Sequence, residues 1–269
     1  MIDIGPVTIA TNVQNSAIGH AQAGRSGPHN RTRLFYVGAA CAMLILVLIG
    51  FRHFFLQGTA HPGRELTPNI RMLIIVHGLS MTGWVLAFLV QSLLIATRKR
   101  RVHMTLGPVA VLLAAFILVS GLWFNLASFR LAPPEFILWA LTMKQFMVLG
   151  SYTLFMFATF VAVGMWYRRR PEIHRPMMLL ATVSTMAPAI ARIDVLNGLY
   201  QGTVLETIFG PSLGMLLLGA LFFVVKWSVT RVVDRWYVIG YGVLASTQLL
   251  AIQFARTRVW DALATSLLR

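Results

Sequence analysis

The sequence predicts an all-α, polytopic membrane protein whose helices form a bundle of about seven transmembrane segments. Hydrophobic residues make up 57% of the 269-residue chain and charged residues only 12%, and the mean hydropathy is +0.73. A soluble domain usually carries about twice that charged share. The net charge of +15 comes in short basic bursts between long apolar runs. That placement is typical of membrane topology and argues against nucleic acid as a partner.

Seven apolar runs are long enough to cross a hydrocarbon core of about 30 Å, which takes about 20 helical residues. Each must be helical, because an open strand leaves backbone groups unpaired in lipid. The runs are Phe35–Leu56, Met72–Thr97, Met104–Ala127, Phe136–Tyr167, Met177–Ile193, Phe209–Val229 and Trp236–Phe254. The fifth run is the shortest and contains Pro188, which predicts a kink there.

Two terminal segments flank the transmembrane domain, which is expected over residues 34–255. Residues 1–33 are polar and lack the ordered basic, apolar and small-residue regions of a signal peptide, so we expect a flexible cytoplasmic tail. Residues 256–269 carry apolar side chains at helical spacing, namely Val259, Trp260, Leu263 and Leu267. This spacing predicts a short amphipathic helix on the outer surface, with a frayed tail as the alternative.

Basic residues set the predicted orientation, because cytoplasmic loops of membrane proteins are enriched in lysine and arginine. With the N-terminus inside, the inner loops carry eleven basic residues, namely Arg98, Lys99, Arg100, Arg101, Arg168, Arg169, Arg170, Arg175, Lys226, Arg231 and Arg235. Outer loops and helix ends carry five, namely Arg52, Arg64, Arg71, Arg130 and Arg192. The excess predicts an N-in, C-out protein of a bacterial inner (plasma) membrane, surrounded by the lipid bilayer.

Polar residues that share a helix face mark candidate sites, because polar groups within a membrane tend to face the bundle interior. In the second run, His77, Trp84 and Gln91 are spaced by seven residues and lie on one stripe, where they either bond to neighbouring helices or form part of a site. On the outer side we predict a pocket that favours anions, formed by His77, Asn125, Lys144, Arg192 and Asp194. Lys144 lies within a run, and it either extends to the outer surface or faces inward.

A second candidate site is a pair of histidines at the inner face. His103 and His174 begin the third and fifth helices at similar depth, beside Arg101 and Arg175. Two histidines at one depth can supply both axial nitrogens of a b-type haem, and arginines can bind its propionates. That interpretation predicts an electron-transfer module that reacts with quinone. The alternative is that both histidines lie in basic loops and contact lipid phosphates or helix ends.

Other functional classes have less support from the sequence. The acidic residues all fall in tails, loops or helix ends, which disfavours a transporter built on an intramembrane carboxylate. The sequence contains no phosphate-binding glycine loop, no His-Glu-x-x-His motif and no nucleophile elbow. No metal site is expected. The alternatives to a haem protein are a non-catalytic membrane protein that binds a small molecule, lipid or partner subunit, and a transporter.

Two stretches resemble an uncharacterised family of bacterial multi-pass inner-membrane proteins. One contains His77-Gly78, Trp84, Gln91-Ser92, Arg98 and His103-Met104-Thr105-Leu106-Gly107, and the other runs from Arg168 to Thr182, followed by Ala191-Arg192. The resemblance covers about residues 72–193, with a similar region at 248–268, and implies a multi-pass fold without a settled activity. The helix-borne histidines are also similar, by analogy, to those of b-type membrane cytochromes. Members often carry a His-Pro pair entering the last helix, where this chain has Asp234-Arg235-Trp236-Tyr237, which weakens any role that needs a histidine there.

Overall fold

Helices make up nearly all of the structure, a computed structural model that describes residues 28–61, 64–131 and 137–268. The helices are α1 (Pro28–Gly50), α2 (Arg52–Gln57), α3 (Arg71–Ala96), α4 (Arg100–Leu131), α5 (Met143–Trp166), α6 (Pro171–Ser184), α7 (Ala187–Ile190), α8 (Asp194–Asn197), α9 (Val204–Phe209), α10 (Leu213–Thr230), α11 (Arg235–Ala255) and α12 (Arg258–Leu268). Short 3-10 turns lie at Pro68–Ile70 and Gly210–Ser212. Two small antiparallel hairpins pair β1 (Thr59–His61) with β2 (Arg64–Glu65) and β3 (Ile137–Leu138) with β4 (Leu141–Thr142).

The described residues contain six helices that are long and apolar enough to cross a membrane, and these include α1, α3, α4, α5 and α11. The sixth combines α9, the following 3-10 turn and α10. These helices confirm the all-α membrane fold that the sequence predicts. The predicted N-terminal tail lies outside the described residues up to residue 27.

The fifth predicted run is a broken helix and not a continuous one. Helix α6 ends at Ser184, and α7 begins at Ala187. The cause is Pro188, which has no N–H to offer to the carbonyl one turn earlier. The chain tightens before it: the N–H groups of Thr185 and Met186 donate to carbonyls three residues back, at 3.2 and 3.0 Å.

Helix α6 occupies the centre of the bundle. It packs against α3, α5, α10 and α11, and the side chains of Leu179 and Leu180 are fully buried. Trp84 of α3 donates from Nε1 to the hydroxyl of Thr182 at 3.2 Å, while its ring packs edge-on against Phe157 of α5. This hydrogen bond links α3 to α6, whereas the buried hydroxyls of Ser184 and Thr185 donate to carbonyls three residues back.

The fourth predicted run begins too early at Phe136. Helix α5 starts only at Met143, because β3 and β4 form a tight hairpin just before it. At the hairpin tip, Trp139 and Ala140 both have positive φ, 55° and 52°, as a two-residue primed turn requires. Thr142 then caps the helix by accepting a hydrogen bond from the N–H of Gln145.

Helix termini gather at two ends of the bundle. At one end, which we call the histidine end, the starts of α1, α4, α6 and α11 meet the later parts of α5 and α10, and the side chains of Tyr36, His103, His174 and Lys226 lie there. At the opposite end, the far end, Gly50 of α1 packs directly against the backbone of Ala189 in α7.

Replacing Gly50 with alanine tests this close crossing. The added Cβ would overlap the carbonyl of Ala189, which is backbone and cannot turn away. We expect Gly50→Ala to lower the free energy of unfolding by about 1–3 kcal/mol, the usual cost of overpacking. The measurement is an unfolding titration in mixed detergent micelles.

Gly38→Ala in the same helix is the matched control, because its Cβ would meet no atom of the described residues within 4 Å. We expect it to be neutral or to stabilise α1 by up to about 1 kcal/mol through helix propensity. Equal effects of the two substitutions would contradict the crossing of α1 over α7.

Candidate functional site

The structure brings His103 and His174 together at the histidine end. Their ring centroids lie 6.4 Å apart, and the ring planes are nearly perpendicular, at 84°. His103 comes from the first turn of α4 and His174 from the first turn of α6. The sequence predicted their common depth, and the structure adds that the two helices are close enough for the rings to be neighbours.

The two imidazoles differ in their hydrogen bonds. Nδ1 of His174 lies 2.8 Å from the carbonyl oxygen of Gly164, in the last turn of α5, so it donates to that oxygen when it carries the proton. This bond orients the His174 ring and leaves its other nitrogen available. Nδ1 of His103 and Oε1 of Gln91 are buried and have no hydrogen-bond partner among the described residues, although the His103 ring lies beside the backbone of Gln91. A buried polar atom without a partner is costly and calls for an explanation.

Arginines surround the histidine pair. Arg175 is close enough to act electrostatically on both imidazoles, and Arg100 acts on His103. Arg101, which the sequence analysis paired with the site, is exposed at the start of the same helix. Cationic side chains therefore border the two rings.

A buried ion pair close to the histidines was not foreseen from the sequence. Lys226, whose side chain is 7% exposed, forms a short salt bridge with Asp234, which is 16% exposed. Lys226 also donates to the hydroxyl of Tyr36 at 2.8 Å. The second oxygen of Asp234 accepts from the N–H groups of Trp236 and Tyr237 and so caps α11. The carboxylate of Asp234 thus joins α10 to α11, and Lys226 joins α10 to α1 through its hydrogen bond to Tyr36.

Arg175 lies close enough to act electrostatically on Lys226 as well as on His103. A signal for the ion pair was present in the sequence: an acidic residue stands eight positions after a lysine, across a short turn between two apolar runs. The sequence predicts Lys226 in an inner loop, which is wrong, because it lies within α10.

The chain matches no protein-family model, no curated protein and no solved structure. The resemblance of His77–Gly107 and Arg168–Thr182 to bacterial multi-pass membrane proteins stays a prediction. Function is therefore inferred from the side chains of this chain alone.

The predicted outer-side residues have separate partners. Nδ1 of His77 lies 3.0 Å from the hydroxyl of Ser120, and the ring stacks on Phe124. Asn125 donates from Nδ2 to the hydroxyl of Ser151 at 2.9 Å and to the carbonyl of Met147 at 3.0 Å. Both are contacts between neighbouring helices, α3 with α4 and α4 with α5.

The remaining three outer-side residues are at the surface of the far end. Lys144 donates to Asp261 at 3.1 Å and to Thr265 at 3.0 Å, both in α12. It lies in the first turn of α5, at the end of that membrane-crossing helix and not deep within it, because the hairpin precedes the helix. Arg192 stacks over the ring of Phe51, and Asp194 pairs with Arg52 at 3.2 Å. In the described contacts, the five residues bond to different partners and do not line one common pocket.

Lys226→Met tests the buried ion pair. It would leave the carboxylate of Asp234 buried without its cation, and we expect the free energy of unfolding to fall by about 3–5 kcal/mol. An unfolding titration in mixed micelles measures the change.

The control is the double variant Lys226→Met, Asp234→Asn, which removes both charges and keeps an oxygen to cap α11. We expect it to recover most of the lost stability. A double variant as unstable as the single one would show that the unpaired carboxylate is not the cause.

Proposed function

We propose that this chain is a seven-crossing membrane protein, with its N-terminus inside, that holds a b-type haem between His103 and His174 and passes electrons to or from quinone. Six crossings correspond to the long apolar helices. The seventh is the broken pair α6 and α7, which runs from His174 at the histidine end to Ala189 at the far end.

The basic loops support the orientation. The basic runs at 98–101 and 168–170 flank the helix termini that form the histidine end. Because positively charged loops stay on the cytoplasmic side, that end faces the cytoplasm in our proposal. A bacterial inner membrane is the setting that this orientation implies.

The separation of the two imidazoles carries the haem proposal. Two imidazoles that share one metal atom through bonds of about 2 Å have ring centroids roughly 6 Å apart. The observed separation of His103 and His174 is 6.4 Å. Nδ1 of His103, which is buried without a hydrogen-bond partner among the described residues, is a ring nitrogen that could bind a ligand.

Two histidines favour haem over a bare metal ion. A zinc or iron ion without a macrocycle needs three or four protein ligands. Among the described residues, no group of three or more His, Cys, Asp and Glu side chains could hold a metal ion. Haem iron needs only axial ligands from the protein, because the porphyrin supplies the others.

The remaining side chains have roles that suit this site. Gly164 would fix the tautomer and the orientation of His174 through its carbonyl oxygen. Arg175 and Arg100 would face the propionates of the haem, with Arg101 at the exposed edge. When bound, haem b supplies a one-electron redox couple. A membrane-soluble quinone, or a partner subunit, would be the electron donor or acceptor.

Histidine contacts with lipid phosphates are the competing interpretation. They explain the basic surroundings but not the contact between the two rings, because side chains that reach for headgroups point outward. We therefore place haem first. The outer-side small-molecule site is not proposed, since its five residues have separate partners.

An absorption spectrum of the protein purified in mild detergent from haem-replete cells tests the proposal. We expect a Soret band, with α and β bands that sharpen on reduction with dithionite. His103→Ala and His174→Ala should each abolish the bands, because each removes one axial ligand.

His77→Ala is the control histidine, since His77 bonds to Ser120 away from the pair, and its spectrum should match that of the parent protein. All variants should elute as single species, so that loss of haem is separated from misfolding. A flat visible spectrum, or equal loss of haem with His77→Ala, would rule out this site.

A further inference from the structure

Gln91 is a polar residue of α3 that the proposed function leaves without a role. It follows Trp84 by seven residues, which is nearly two helical turns, so the two side chains share one face of α3. Trp84 donates a hydrogen bond to Thr182 of α6, and α3 packs against α6. The face of α3 that carries Gln91 is therefore turned towards α6.

The level of Gln91 in the bundle follows from the directions of these two helices. Helix α3 ends and α6 begins at the histidine end, so the two helices run antiparallel. A step of seven residues beyond Trp84 therefore corresponds to a step of about seven residues back from Thr182, since both helices rise about 1.5 Å per residue. That step reaches Arg175, next to His174. Gln91 thus lies level with the histidine pair.

The ring of His103 lies beside Gln91. Helices α3 and α4 pack against each other after the short connection at residues 97–99, and this brings the His103 imidazole next to the backbone of Gln91. Nδ1 of His103 and Oε1 of Gln91 are both buried without a hydrogen-bond partner among the described residues. An amide oxygen only accepts, and an imidazole nitrogen that carries a proton donates. The two buried atoms are therefore complementary.

We propose that Gln91 is a positioning residue whose Oε1 accepts a hydrogen bond from Nδ1–H of His103, after a rotation of the flexible amide side chain. The proton on Nδ1 leaves Nε2 of His103 with a free lone pair, so Nε2 is the nitrogen offered to a metal. His174 takes the same form when its Nδ1–H donates to the carbonyl oxygen of Gly164.

This hydrogen bond has two physical consequences. It removes the cost of two buried polar atoms without partners. It also fixes the tautomer and the orientation of the His103 ring, as the acceptor beside a metal-binding histidine usually does. The bond itself does not depend on haem, whereas its role in presenting Nε2 to iron rests on the proposed function.

Nitrogen-15 NMR of the haem-free, histidine-labelled protein tests the hydrogen bond, at about pH 8, where imidazoles are largely neutral. The His103 signals are those that are absent from His103→Ala. We expect the parent protein to carry the His103 proton on Nδ1. Gln91→Met removes the acceptor with little change in volume, so the proton should move to Nε2, which an unconstrained histidine side chain prefers. Gln91→Glu keeps an oxygen at this place and should restore the Nδ1–H form.

Ser120→Ala is the matched control, because it removes the hydroxyl beside Nδ1 of His77, outside the pair. It should leave the His103 signals unchanged. In the haem-loaded protein, Gln91→Met should release haem to apomyoglobin about tenfold faster, the lower end of the effect that such acceptors have on metal affinity. Gln91→Glu and Ser120→Ala should release haem at the parent rate.

An Nδ1–H form that persists in Gln91→Met would overturn the inference, because it would assign the proton to another acceptor, such as the backbone carbonyl of Gln91. A parent protein that binds no haem would overturn the proposed function, and the NMR spectra would still decide whether the hydrogen bond exists. Haem release that is unchanged in Gln91→Met would overturn the positioning role.

Discussion

A chain that crosses a bilayer must satisfy its backbone N–H and C=O groups within each segment, because lipid offers them no partner. In this protein that requirement confines the turns to two levels. Residues far apart in sequence are then gathered wherever helices begin and end. His103, His174 and Asp234 stand at or near helix starts, while Gly164 and Lys226 stand near helix ends, and all five lie at the histidine end.

The same requirement explains how much could be predicted from the sequence. Apolar length locates a crossing, so the all-α fold and the common depth of His103 and His174 were predictable. Their adjacency was not, because it depends on which helices are neighbours around the bundle. Helix α6 lies at the centre of the bundle and so determines which helices are neighbours. Its many small and medium-sized side chains do not identify it as the central helix from the sequence.

Where predictions about individual residues failed, a local feature had outweighed the apolar pattern. The apolar run from Phe136 predicts Lys144 deep within a span, but the hairpin before α5 puts it in the first turn of that helix. The basic residues that follow Lys226 predict a loop there, yet its partner Asp234 lets Lys226 remain buried within α10. In both cases the position of the residue depends on a contact between two segments of the chain. Hydropathy does not reveal which segments pair.

The charge balance at the histidine end favours the binding of anions there. Arg100, Arg175 and Lys226 bring positive charge to this region, and Asp234 is the described carboxylate that pairs with one of them. Since Lys226 and Asp234 neutralise each other, the positive charge of Arg100 and Arg175 remains near the histidines. Such a surplus attracts anions. The propionates of the proposed haem are anions, so this asymmetry in charge would favour them.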